Sequence, residues 1–494
     1  MKQDGVRSAR AGRGPGGGVY HAHLYGRRAD KYAWLDSHDL STAGYQPIHP
    51  APPFYFFTPR QTQNPQAYQS WPSVTKIFPT YVTGIVTARD ELCIDFDQKD
   101  LLRKIEPLRD SKLPDDYIKD YLAALLHRKP SKVENYAWRI SDARKQLQTV
   151  ERPEQCIVPI LYRPFDERYI FYHNSIVWRT RPEVMRHMLA GENLGLITRR
   201  QQLPVKECTY FFVTDKIISD GVIRSDNRGS ESLFPLYLYP STDSPDMLEQ
   251  SCRPNLAGWL LPRLSKAYGF TPAPEEVLAY IYAVLYSPTY RQKYAQELRT
   301  DFPRIPFPVE GNLFRQMAKL GQRLIDLHLL NDTETVAKFP IEAVESACEQ
   351  HGEGIQQGFH PFLQRSHTEL DPPVARYQGT GSNDKVERVR YDEARQRVYI
   401  NADKYFEGIT PEMWTYRIGG YQVLEKYLKD RKGRRLGDPR RYLRIATAIA
   451  RTIEVQREIE TVYPGVEVST LVLGEASTAP QGKAGSASEG ETSS

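Results

Sequence analysis

Residues 156–173 read CIVPILYRPFDERYIFYH. Two runs rich in β-branched and aromatic residues, CIVPILYR (156–163) and RYIFYH (168–173), flank Pro164-Phe165-Asp166-Glu167. That pattern predicts a β-hairpin turning at 164–167. Downstream, Thr180 precedes a predicted helix, with Pro182 and Glu183 suited to its first turn. NLGLITRRQ (193–201), TYFFVTDKI (209–217) and SLFPLYLYP (232–240) are three more strands. Upstream, DLLRKIEPL (100–108), DDYIKDYLAALLH (115–127) and VENYAWRISDARKQL (133–147) repeat apolar residues at three- and four-residue spacing and predict helices. Helical periodicity returns over 272–330 and 420–460, and VERVRYD (386–392) with QRVYIN (396–401) predicts a second hairpin. Runs of strands and runs of helices, without strict alternation, give an α+β fold: a mixed or antiparallel sheet flanked by helices, with a largely helical second half.

The chain of 494 residues is long enough for several domains. Residues 1–18 are Gly/Arg-rich and 475–494 lack any aromatic residue, so both read as disordered. Residues 45–81 are punctuated by proline and read as a connector packing through Phe54, Tyr55, Phe56 and Phe57. No apolar run reaches the ~20 residues that span a bilayer, which predicts no membrane partner. The basic N-terminus lacks the apolar stretch of a secretory signal, and Cys93, Cys156, Cys208, Cys252 and Cys348 form no CxxC pair. A reducing, cytoplasmic location follows as the expectation.

Net charge is only +5, but it is unevenly placed. Residues 424–444 hold nine Lys/Arg against three acids, and residues 178–206 six against two. With 31 tyrosines, some beside arginines, the composition points to a surface that meets a large polyanion.

Catalytic patterns are absent. Gly14 to Gly18 supplies glycines without the Lys-Ser/Thr of a phosphate loop. Ala51-Pro52-Pro53-Phe54 has the prolines and aromatic of an adenine-methylating site, but alanine offers no acceptor to the base amine. Asn64-Pro65-Gln66-Ala67-Tyr68 has the amide at the wrong spacing, and Asp97-Gln98-Lys99 and Asp115 stand in the wrong order for a metal-dependent nuclease. His21 and His23 lack ligand neighbours. The chain therefore carries no recognisable catalytic or metal residues.

Several blocks resemble the C-terminal part of type ISP restriction-modification enzymes: YRPFDERYIFYH (162–173), RTRPEVMRHMLAGENLGLITRRQ (179–201), ISDGVIRSDNRGSESLFPLYLYP (218–240), YIYAVLYSPTYRQKYAQELRTDFPRIPFP (280–308) and YFEGITPEMWTYRIGGYQVLEKYLKDRKGRRL (405–436). HAHLYGRRADKYAWL (21–35) and the 51–57 segment resemble the stretch that leaves the methyltransferase region, so the similarity spans roughly 20–455. The resemblance implies a connector over 19–96, a helical segment over 97–150, a β-rich target-recognition core over 151–245 and a helix-rich part over 246–460. It implies double-stranded DNA as partner. Methyltransferase, translocase and nuclease parts, with S-adenosylmethionine, ATP and magnesium, are implied for the intact enzyme and expected upstream of this chain. No cofactor is expected in the chain itself.

Reading duplex DNA takes phosphate contacts from Lys and Arg, and base contacts from Arg to guanine or Asn/Gln to adenine. Arg199, Arg200, Gln201 and Gln202 end a predicted strand and offer both classes; Arg224, Asn227 and Arg228 do so from a polar loop. Arg179 and Arg181 flank a helix start. Lys429, Arg431, Lys432, Arg434 and Arg435 follow Gly419-Gly420 and a predicted helix with an apolar stripe of Val423, Leu424, Tyr427 and Leu428. An ordinary solvated or core-paired cation is the plain alternative at each position. The favoured function is sequence-specific DNA target recognition. An adenine-specific methyltransferase fragment with a degenerate site, and an inactive remnant acting in protein interaction, remain as alternatives. The missing acceptor before Pro52-Pro53 counts against the first of these and the basic clusters against the second.

Overall fold

The computed structural model describes residues 18–50, 55–57, 59, 65–135, 137–202, 208–224, 229–240, 252–330, 373–380 and 382–473. The predicted disordered ends, apart from Gly18, lie outside these residues, as do Phe54, Asn227 and Arg228. The chain divides into two units, Met1–Gln63 and Asn64–Ser494. In the first, strand Val19–His21 pairs antiparallel with Gln46–Ile48, and helix Arg28–Ser37 lies between them in sequence. Tyr55 and Phe57 remain 55% and 58% exposed, contrary to the packing expected of the connector. Among the described residues, neither Tyr55 nor Phe57 lies in a helix or strand.

The second unit holds the predicted α+β arrangement. The 156–173 stretch is a hairpin of Ile157–Arg163 and Asp166–Phe171, and pairing of Arg163 with Asp166 leaves only Pro164-Phe165 in the turn. Asp166 and Glu167 are therefore strand residues. Phe165 takes φ +64° and is 2% exposed, because its ring packs edge-on against Phe212. This hairpin is joined on one side by Ile94–Asp95 and on the other, in parallel, by Ile217–Ile218, making a mixed four-stranded sheet. A second sheet is antiparallel, in the order Val82–Thr83, Glu231–Pro235, Gly195–Arg199, Phe212–Thr214. A third, Arg376–Gly379, Lys404–Glu407, Arg397–Tyr399, Arg390–Asp392, contains the predicted second hairpin.

Helices Gln98–Arg109, Asp115–Leu125 and Ile140–Gln148 lie in the predicted helical segment; the third starts at Ile140 rather than Val133, because Asn135 and Trp138 form a β-bridge ahead of it. In the second half, Pro274–Tyr286, Gly311–Leu329 and Pro439–Val468 pack together. Many tyrosines belong to this core: Tyr280, Tyr282, Tyr286, Tyr290, Tyr294, Tyr442 and Tyr463 are all buried. Their rings supply apolar area while hydroxyls find interior acceptors, as Tyr286 does at the Phe211 carbonyl (3.0 Å) and Tyr290 at that of Arg304 (2.7 Å). The tyrosine count thus reflects packing as well as surface. Arg304 donates from Nη1 to the carbonyls of Gln69 and Trp71 (3.1 and 2.7 Å).

Candidate nucleic-acid interface

Register brings two of the sequence-predicted segments together. Arg199, last in its strand, is paired with Glu231, first in its own. Residues 200–202 therefore leave the sheet beside the point where 229–230 enter it. Segment 82–86 links a third: Gly84 donates its N–H to Glu231 (3.1 Å), Ile85 bridges Ser219, and Val86 exchanges backbone hydrogen bonds with Arg179 (3.1 and 2.9 Å). The side chain of Arg179 is exposed and, among the described residues, makes no side-chain hydrogen bond or ion pair. Arg181 is half-buried in the left-handed region (φ +58°) immediately before helix Pro182–Leu189.

The loop between 220 and 231 is tied at its base. Asp220 accepts from the Ser230 N–H (2.9 Å), Glu231 from that of Gly221 (2.8 Å), and Arg224 donates to the Gly229 carbonyl (3.1 Å). Gly229 has φ +54°, which glycine adopts freely, and a Cβ there would fall 1.9 Å from the Asp220 carboxylate, so a side chain would displace that carboxylate from the Ser230 N–H. The hairpin of Arg417–Ile418 and Tyr421–Gln422 braces the same loop. Gly419 and Gly420 donate to the carbonyls of Thr209 and Ile223 (2.8 and 2.9 Å). Gly419 has φ +57°, and a Cβ there would meet the Ile223 carbonyl at 2.0 Å. The Tyr421 hydroxyl reaches the carbonyls of Gly221 (3.1 Å) and Arg224.

Burial sorts the predicted residues. Arg199 is 5% exposed and Arg224 6%; both face inward. Arg199 lies beside buried Glu231, whose carboxyl is pushed up by burial and only partly restrained by its hydrogen bonds and by Arg199. Interior carbonyls and carboxylates need these cations, so neither presents its guanidinium outward. Arg200 and Gln201 are exposed: Arg200 Nε lies 2.9 Å from Asp301 Oδ1, and Gln201 has φ +61°. Gln202 is 2% exposed.

The second basic run divides similarly. Helix Val423–Lys429 buries the predicted Val423, Leu424, Tyr427 and Leu428 stripe. Contrary to the expected solvent-facing run, Arg431 is buried, with Nη2 2.6 Å from Asp166 and its guanidinium 3.5 Å over the Tyr427 ring. Burial alone would raise the Asp166 pKa; Arg168 and Arg431 outweigh it and hold the carboxyl below the usual range. Lys429 pairs with Glu425 (2.9 Å) and Arg434 with Asp95 (3.3 Å). Lys432 and Arg435 are exposed, with no side-chain partner among the described residues. Their backbone is clamped: Gly433 and Leu436 donate to Val386 and Asp384 (2.7 and 2.9 Å), and Val386 donates to Arg434 (2.9 Å).

Sequence reading did not single out Arg417, which is exposed and donates from Nη2 to the Gly420 carbonyl (2.6 Å) within its own turn. It also missed Asp301, which reaches Arg200 across 101 positions and carried no local signal. Among the described residues, no group of three or more His, Cys, Asp or Glu could hold a metal, and no helix is long and apolar enough to cross a membrane.

The model of the "Type ISP C-terminal specificity domain" matches residues 76–459. No curated protein sequence matches significantly. Among solved structures, a nuclease-deletion mutant of the type ISP restriction-modification enzyme LlaGI, in complex with a DNA substrate mimic, is similar at TM-score 0.55 and 17% identity, over 88% of this chain and 32% of that one. A DrdV–DNA complex is similar at TM-score 0.58 and 20% identity, over 88% and 42%. The ATP-dependent type ISP enzyme LlaBIII bound to DNA gives TM-score 0.55 and 16% identity, over 84% and 25%. The chain thus spans between a quarter and less than half the length of these solved proteins.

Proposed function

The chain belongs to the type ISP C-terminal specificity domain family, and we propose that it binds double-stranded DNA and selects its sequence. The observation that supports this reading is the register of Arg199 with Glu231, which sets the Arg200–Gln202 segment beside Gly229 and Ser230, the residues that follow Asn227 and Arg228 in sequence. Guanidinium and amide groups from two adjacent segments are the chemistry that reads base edges. Arg200, Gln201, Gln202, Asn227 and Arg228 are assigned to bases. Arg179, Arg181, Lys429, Lys432, Arg434 and Arg435 are assigned to phosphates. Arg199, Arg224 and Arg431 serve as interior cations that hold the reading segments in place.

Methyltransferase, translocase and nuclease parts would act beside this chain as partners. S-adenosylmethionine, ATP and magnesium would belong to them. The test is a titration of a preferred and a shuffled duplex with wild type and Arg200→Ala. A gap narrowed by about 1–3 kcal/mol is expected for loss of a bidentate base contact. An unchanged gap refutes the assignment of Arg200.

A further inference from the structure

Gln202 is 2% exposed, and its Oε1 and Nε2 are both buried with no hydrogen-bond partner among the described residues. A carboxamide has two donors and an acceptor with two lone pairs, and burial without bonds disfavours the state that contains it. The residue before it, Gln201, sits at φ +61°, a region that L residues with a Cβ seldom adopt. Two adjacent glutamines are thus both held in unfavourable states.

What holds them is visible. The Gln202 N–H donates to the Leu298 carbonyl (2.9 Å), and Arg200 Nε meets Asp301 Oδ1 (2.9 Å). Both anchors lie on the same short stretch, helix Ala295–Leu298 and the turn after it. The Arg200–Asp301 pair is solvated, with side chains 60% and 37% exposed. An ion pair in that setting is weak, and a guanine edge can compete for the guanidinium.

We propose that Gln202 is a base-reading side chain held retracted in the DNA-free protein, and that duplex binding releases it. This rests on the DNA-recognition reading above. A guanine edge of the preferred site takes Arg200 from Asp301, the Leu298 anchor opens, and Gln201 returns to negative φ. Gln202 then presents its amide outward, where it can pair with N6 and N7 of adenine. Random DNA supplies phosphates but no matching base edge, so only the preferred site binds the released form better and shifts the population fully.

The test uses the full chain with a selected duplex and a shuffled one. Gln202→Leu places an apolar side chain of similar size in the same interior position. It should leave the thermal midpoint unchanged or higher, and reduce discrimination by about tenfold. Hydrogen exchange at the Gln202 amide should speed up on the selected duplex and not on the shuffled one. If wild type prefers no sequence, the DNA-recognition reading fails and this inference with it. If wild type is selective but Gln202→Leu keeps its discrimination, Gln202 is not a reader and this inference alone falls. Exchange that slows or stays constant on the selected duplex also overturns the release.

Discussion

Asp166 and Arg431 stand 265 positions apart in sequence, yet their side chains meet at 2.6 Å in the interior. The contact joins the first strand-paired residue after the Pro164-Phe165 turn to the basic run that follows helix Val423–Lys429. Removing one member of a buried pair leaves an uncompensated charge, at a cost of about 3–5 kcal/mol. Arg168 remains 2.7 Å from Asp166, which places Arg431→Ala at the lower end. Urea unfolding should therefore show a loss of about 3 kcal/mol. The slope of DNA affinity against salt should not change, because Arg431 gives no charge to the surface.

Lys432 and Arg435 should behave in the opposite way. Both are exposed on a backbone clamped by residues 384–386. The double change to Ala should leave stability within about 0.5 kcal/mol. It should weaken binding to every duplex alike and flatten the salt dependence by about 0.9 per lost phosphate contact. Titrations at several salt concentrations check this.

The contrast between those neighbours marks what the sequence could reveal. Periodicity located the central hairpin, the strand runs of 193–240 and the apolar stripe before residue 429, because each depends on local spacing, but not the short strands Val19–His21 and Gln46–Ile48 or helix Arg28–Ser37. The alternation of inward Arg431 with outward Lys432 depends on Asp166, whose approach no local pattern records. The same holds for Arg199 and Arg224: both sit in polar stretches, and both face interior acceptors supplied by residues 229–231. The predicted 164–167 turn was too long by two residues, since Asp166 and Glu167 look polar yet pair in the strand. Prolines misled in the connector, where aromatic residues were expected to pack and Tyr55 and Phe57 are exposed.

His328 should make stability acid-sensitive. It is buried between Tyr282 (2.6 Å from Nδ1) and Thr452 (3.0 Å from Nε2). Burial, assisted by Arg291, pushes its pKa down to about 3. Unfolded histidine titrates near 6.5, so as pH falls through about 6.5 the unfolded chain takes a proton that the folded one refuses. Stability then drops by about 1.4 kcal/mol per pH unit from this group until the folded value is reached. His187, lowered to about 4 by burial and by Arg186 and Arg253, adds to the same window. His328→Gln should be less stable at neutral pH and show a slope smaller by one proton in denaturant midpoints between pH 6 and 4.5 (approximate window from the unfolded value).

Tyr421 tests whether the 221–224 segment must be held for reading. Tyr421→Phe keeps the ring and removes only the hydroxyl that reaches the Gly221 and Arg224 carbonyls. A stability loss of about 1 kcal/mol is expected. Discrimination between preferred and shuffled duplexes should fall, while the salt slope stays that of wild type. A changed salt slope would make Tyr421 part of the phosphate surface instead.

The most direct measurement is a selection of duplexes from a random pool by the purified full chain, repeated at several salt concentrations and sequenced. Enrichment of one defined motif is predicted, with a preference that persists as salt weakens overall affinity. A retained pool with no motif at any salt would contradict sequence-specific recognition by this chain.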